Sequence, residues 1–215
     1  MKRLISLPRL LQAISLLALT SLIFVNTAIA KPIKVKMETS QGDVILELYP
    51  DKAPKTVANF LKYAESDFYS GTIFHRVIND FMIQGGGFDN QYQRKPVQAP
   101  VMNEADNGLT NKLGSIAMAR TSDPHSATAQ FFINIKNNDF LNHTDKTPRG
   151  WGYTVFGKVI KGMKTVDKIR NIPTGRGGPF PSDVPQTMVT IKSISVLNKA
   201  KPDALNKTAT PVTKK

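Results

Sequence analysis

In the stretch "FHRVINDFMIQGGGF", Phe74 to Phe88, an arginine and a glutamine interrupt two otherwise apolar arms. A guanidinium is always charged and carries five N–H donors, and an amide both donates and accepts. Together, beside an apolar surface, they can form the polar rim of a binding pocket. Register decides whether they meet. If Asn79-Asp80-Phe81 forms a three-residue connection, Ile78 pairs with Met82 and Arg76 comes opposite Gln84. Arg76, Met82 and Gln84 then share one face, because strand side chains alternate with period two. A two-residue turn shifts the register by one and separates them. The plain alternative is an arginine on a solvated strand face. Against it stands Gly85-Gly86-Gly87, which removes side chains where another group can approach.

Other chemistries fail on inventory. No Gly-Lys-Ser/Thr follows the glycine run and no helix is predicted to open there, so a phosphate cradle is unsupported. The three histidines, His75, His125 and His143, lie far apart without metal-ligand spacing. His75 reads as a packed strand residue, since alternation points it away from Arg76. No Gly-x-Ser-x-Gly elbow is present. The absence of cysteine excludes disulfides, thiolate metal sites and a cysteine nucleophile. No metal or other cofactor is expected. What remains is apolar: Met118-Ala119-Arg120, Gln130-Phe131-Phe132 and Phe140-Leu141. Phe132 and Leu141 would ordinarily be core. Taken with Phe81, Met82, Arg76 and Gln84, they can instead line an apolar pocket with a polar rim.

The elements that must position these residues follow from hydrophobic period. Ile33–Glu38 and Val44–Leu48 alternate around Ser40-Gln41-Gly42-Asp43, a hairpin signal. In "APKTVANFLKYAESDFY" the period changes, and Val57, Phe60, Leu61 and Ala64 fall on one helical face after a first-turn proline. Strand patterns follow at Thr72–Ile78, Met82–Gly85, Ser115–Ala119, Gln130–Ile135 and Thr154–Val159. A second helix is predicted over Met163–Ile172, with Val166 and Ile169 inward, and a last strand over Met188–Leu197. Short strands, two helices and long glycine- or asparagine-rich connections predict an antiparallel barrel or sandwich with helices over its ends.

The flanks read differently. A basic start (Lys2, Arg3, Arg9), an apolar run from Leu10 to Val25 and the small-x-small Ala28-Ile29-Ala30 predict a secretory signal, cleaved before Lys31. An uncleaved anchor is the alternative, but the run is shorter than the ~20 apolar residues a spanning helix needs. One domain is expected over residues 31–197, and Asn198–Lys215 reads as a disordered basic tail. Losing Lys2, Arg3 and Arg9 takes the formal charge from +13 to +10. That charge is dispersed, with no basic stripe or interleaved aromatic motif, so no specific nucleic-acid partner is expected. A monomer is the default, with no membrane association after signal cleavage.

Four separated stretches, "FHRVI…FMIQGGGF", "NEADNGLTNKLGSIAMART", "SATAQFFINI" and "GYTVFGKVIKGM", resemble the cyclophilin family of peptidyl-prolyl cis-trans isomerases, its bacterial periplasmic members above all. The resemblance runs from about Ile33 to Leu197 and implies a closed eight-stranded antiparallel β-barrel capped by two α-helices. It implies isomerisation of X–Pro bonds in unfolded or partly folded exported polypeptides, in the periplasm. Residue by residue, Arg76 matches the catalytic arginine, and Phe81, Met82, Phe132 and Leu141 match the proline pocket. Gln84 matches the glutamine that bonds substrate backbone. Ala119 and Arg120 match the segment that pairs with the bound peptide, and Gln130 matches another groove residue. Phe140 stands where many eukaryotic members have tryptophan, Tyr153 where they have histidine, and Arg120 where asparagine is usual. The missing indole donor implies weak cyclosporin binding at most. The competing class is a chaperone or peptide-binding module that uses the same groove with little need for catalysis.

Overall fold

The computed structural model describes residues 31–198. The predicted leader lies outside the described residues, and so does the predicted tail apart from Asn198. That asparagine is tied to the first strand: its side chain accepts from Lys34 N at 2.5 Å and donates to Pro32 O at 3.1 Å.

The alternating segments form β1 (Ile33–Thr39) and β2 (Gly42–Leu48), with every second residue buried from Val35 and Val44 onward. Then come β3 (Thr72–Ile78), β4 (Met82–Asp89), β5 (Ser115–Met118), β6 (Phe131–Asn134) and β7 (Val155–Lys161). After β8 (Thr174–Gly177) and β9 (Phe180–Pro185), β10 (Ile191–Val196) ends the fold. Eight strands pair antiparallel in the order β10-β1-β2-β7-β5-β6-β4-β3. The two edges nearly close the sheet on itself. An Ile73–Thr190 bridge joins them, and Phe74 N and Gly71 N donate to Val189 O and Ile191 O, each at 2.9 Å. Joining its edges removes most of the unpaired backbone that an open sheet exposes. The expected mainly-β barrel with two helices is therefore observed.

Helix α1 (Pro54–Glu65) buries Val57, Phe60 and Ala64 as the period predicts, together with Thr56 and Tyr63. It has no local side-chain cap. The Glu104 carboxylate serves instead, accepting from Lys55 N at 3.1 Å and Thr56 N at 2.8 Å. Those first-turn N–H groups otherwise lack partners, and an anion there also suits the helix dipole. Helix α2 (Met163–Arg170) buries Val166 and Ile169 and ends two residues before the predicted boundary. The barrel interior is aromatic: Phe60 meets Tyr69, Phe131 and Phe156 at centroid distances of 5.2, 5.8 and 5.3 Å.

One element has no counterpart in the predicted set. Residues 174–185 carry glycine and proline at strand-breaking frequency, yet β8 and β9 form a separate two-stranded hairpin against β3. Packing of Phe180 and Val184 onto the barrel, rather than strand propensity, accounts for it.

Candidate active site

The β3–β4 connection has the three-residue form. Ile78 pairs with Met82, Val77 with Ile83 and Arg76 with Gln84. Asp80 takes the left-handed conformation at φ 60°, which aspartate tolerates better than most residues. Arg76 and Gln84 thus share a face, and the Arg76 Nη1 donates to Gln84 Oε1 at 3.4 Å. The chain continues outward, Gln84 Nε2 donating to Gln130 Oε1 at 3.0 Å. Gly87 makes room for this: a Cβ there would lie 2.4 Å from Gln130 Cγ.

Beside this polar line is a small apolar cluster, separate from the barrel core. Met82, Ala117, Phe132, Leu141 and Val155 are buried in it, with Phe81, Ala119 and Tyr153 partly buried around them. Register explains the floor, because Gln84 pairs with Phe132 and Phe132 with Ala117 across β4, β6 and β5. A cavity of about 390 Å³ opens here. Arg76, Phe81, Met82, Gln84, Ala119, Arg120, Gln130, Phe132, Leu141 and Tyr153 all line it. An apolar hollow with a few converging donors is the usual form of a small-ligand site.

Phe140 is the exception among the expected residues. It does not line this cavity; it is 73% exposed and stacks on Phe81 at 5.6 Å, beside a shallower hollow shared with Arg120, Arg149 and Tyr153. The physical reason is the single 3-10 turn Asp139–Leu141, in which adjacent side chains diverge by a third of a turn, so Leu141 faces in while Phe140 faces out. The Arg120 side chain also turns away from the cavity floor. It donates to Gly152 O at 2.8 Å, Thr121 O at 2.9 Å and Pro148 O at 3.2 Å, and lies 4.7 Å from the Tyr153 ring centroid. It thereby ties the loop carrying Tyr153 to the end of β5.

Three further cavity residues, His75, Phe88 and Phe180, escape sequence reasoning. His75 is buried as expected but does not point away from Arg76. The register shift between Phe74 and Arg76 breaks the simple alternation, and both residues line the cavity, with the imidazole packed against the Phe88 and Phe180 rings at 4.7 and 5.3 Å. Burial, then the Arg76 charge, lower its pKa to about 4 against an opposing backbone hydrogen bond to Ile73. The imidazole is therefore neutral at pH 7. Beneath the cavity lies a buried asparagine network that the sequence showed only as asparagine-rich connections. Asn138 Nδ2 donates to Phe81 O at 2.8 Å and to Asn134 Oδ1 at 2.7 Å. Asn134 in turn donates to Asn111 Oδ1 at 3.1 Å, and Asn111 donates to Leu141 O at 3.1 Å. Phe81 and Leu141, on separate loops, are held to the same scaffold.

Comparison with known proteins agrees with this architecture. Residues 34–196 match the family described as cyclophilin type peptidyl-prolyl cis-trans isomerase/CLD. The chain is 58% identical over 163 residues to peptidyl-prolyl cis-trans isomerase cyp18 of Streptomyces antibioticus, covering 76% of this chain and 98% of that one. It is 54% identical over 162 residues to peptidyl-prolyl cis-trans isomerase B of Escherichia coli K12, covering 75% and 98%. A crystal structure of a Cryptosporidium parvum cyclophilin, determined in the presence of the dipeptide Ala-Pro, superposes with a TM-score of 0.63 at 29% identity. That match covers 77% of this chain and 99% of the other. With both barrel and sequence shared across nearly the whole described region, the chain belongs to the cyclophilin-type peptidyl-prolyl cis-trans isomerases.

Proposed function

We propose that this isomerase seats a substrate proline on Met82, Phe132 and Leu141 and that Arg76 donates to the imide nitrogen as the X–Pro bond twists. Rotation breaks C–N resonance, against a barrier of about 18–20 kcal/mol for an amide. Uncatalysed exchange takes tens of seconds. Bringing that to milliseconds is a factor of about 10⁴, or roughly 5.5 kcal/mol. The planar amide is more polar than the twisted one, so apolar walls favour the twisted form. As resonance is lost the nitrogen regains its lone pair and becomes an acceptor. A guanidinium donates to it most strongly in the transition state, where the gain accelerates the step. A charge-assisted bond contributes about 1.5–3 kcal/mol. The remainder comes from the apolar walls and from Gln84 and the Ala119–Arg120 backbone fixing one side of the bond.

The observation that carries this reading is the Arg76–Gln84 register pair at the rim of the Phe132 cavity. Arg76→Ala is expected to lower kcat/KM on an Ala-Pro peptide by about 10- to 150-fold, the kinetic equivalent of that one bond. Full acceleration of proline-limited refolding by the variant overturns the mechanism.

The substrates we infer are exported polypeptides, met in the periplasm. The basic start, the Leu10–Val25 apolar run and Ala28-Ile29-Ala30 support this address. N-terminal sequencing of protein from the envelope fraction is expected to begin at Lys31; recovery of the intact chain in the cytoplasm overturns it. The exposed Phe140 favours a second use of the groove, holding unfolded chains. Protection of a proline-free client from aggregation tests that use separately from isomerisation.

A further inference from the structure

The hairpin β8–β9 is more than a cover for the barrel edge. Phe180 packs against His75 of β3 and Phe88 of β4, with its ring 5.1 Å from Phe88 at 89° and 5.3 Å from His75, and it lines the cavity beside Arg76. Val184 is buried, which anchors the returning strand. Between these anchors stands Asp183, in the left-handed conformation at φ 65°. Aspartate tolerates that conformation better than most residues, so the turn is made without glycine. The Asp183 carboxylate Oδ2 lies 3.8 Å from Arg76 Nε. Gln84 Oε1 also accepts from Arg76 Nη1. The guanidinium thus meets both an amide oxygen from β4 and a carboxylate from a hairpin more than a hundred residues further along the sequence.

We propose that Asp183 is a positioning residue for isomerisation, holding the Arg76 guanidinium towards the groove; this rests on the role given to Arg76 above. An arginine side chain has considerable rotamer freedom, and each restraint raises the fraction of time its remaining donors face the substrate. Both side chains are well exposed, at 43% and 37%, so the pair adds little to stability. Its consequence therefore falls on turnover rather than on folding. At 3.8 Å the contact is a charge attraction longer than a hydrogen bond, so removing the charge removes it.

The test is Asp183→Asn, which keeps side-chain volume and tolerates the left-handed backbone. Wild type, D183N, R76A and R76A/D183N are compared by exchange NMR on an Ala-Pro peptide. D183N is expected to lower kcat about two- to fivefold, the range of an exposed ion pair, with KM unchanged. Added salt is expected to bring the wild type down towards D183N, and D183N is expected to have no effect in the R76A background. An unchanged kcat in D183N overturns the proposal while leaving the Arg76 mechanism standing, provided R76A is impaired. The same loss in both backgrounds also overturns it, by showing a structural effect. Full activity of R76A overturns both readings.

Discussion

Arg76 and Phe140 show how one position's surroundings set its role. Arg76 is a strand residue whose neighbours, Gln84 by register and Asp183 by tertiary contact, leave its guanidinium at the mouth of an apolar cavity. Phe140 is one residue from the cavity-lining Leu141 yet stands in solvent, its ring resting on Phe81. The family resemblance links cyclosporin binding to an indole N–H at this position, and a phenyl ring has no donor to offer. Because the site is open, a larger ring fits without clash. Phe140→Trp is therefore expected to tighten cyclosporin binding about two- to tenfold, the worth of one net hydrogen bond. Calorimetric titration of both proteins measures it, and equal affinities reject the assignment.

The elements were legible in proportion to how local their causes are. The eight barrel strands and both helices follow from hydrophobic period, and the β3–β4 register follows from a three-residue connection. The hairpin β8–β9 does not, since its strands contain Gly175, Gly177, Pro181 and Pro185 and owe their shape to the surface they cover. The asparagine network is equally silent in sequence: Asn111 and Asn138, in connections, read as turn material, and Asn134 ends a strand, whereas all three are fully buried. Burial makes their amides structurally demanding, because a lost partner leaves a polar group in a dry interior. Asn138→Leu removes both donors; Phe81 O keeps its bond from Ile135 N, but Asn134 Oδ1 is left without Asn138. The expected cost is about 1–3 kcal/mol in urea unfolding, with a higher KM as the Phe81 loop loosens. An unchanged midpoint and KM would show that the network is dispensable.

Across the whole molecule, the hairpin and the barrel clasp one titratable ring. His75, packed against Phe88 and Phe180 with its pKa lowered to about 4, resists protonation in the folded state. The unfolded chain takes up that proton near pH 6.5. The folded state therefore keeps its full stability above about pH 6.5 and loses it as pH falls towards 4, by about 3 kcal/mol from this group. Urea midpoints measured between pH 7 and 4 should fall, and His75→Phe, which retains a ring against both neighbours, should flatten that dependence. Identical slopes for the two proteins would remove His75 as its source.

What the sequence alone determined is what short-range order controls: strand and helix periods, the β3–β4 register, and a family motif set that names most of the cavity. The tertiary structure decided which distant loops converge on it. Asp183 reaches Arg76, Phe180 reaches the cavity wall and Asn138 reaches Phe81 only because the sheet curls until its edges nearly meet. Those contacts are chosen by barrel closure and by burial, which act on the whole chain at once and leave no local pattern to read.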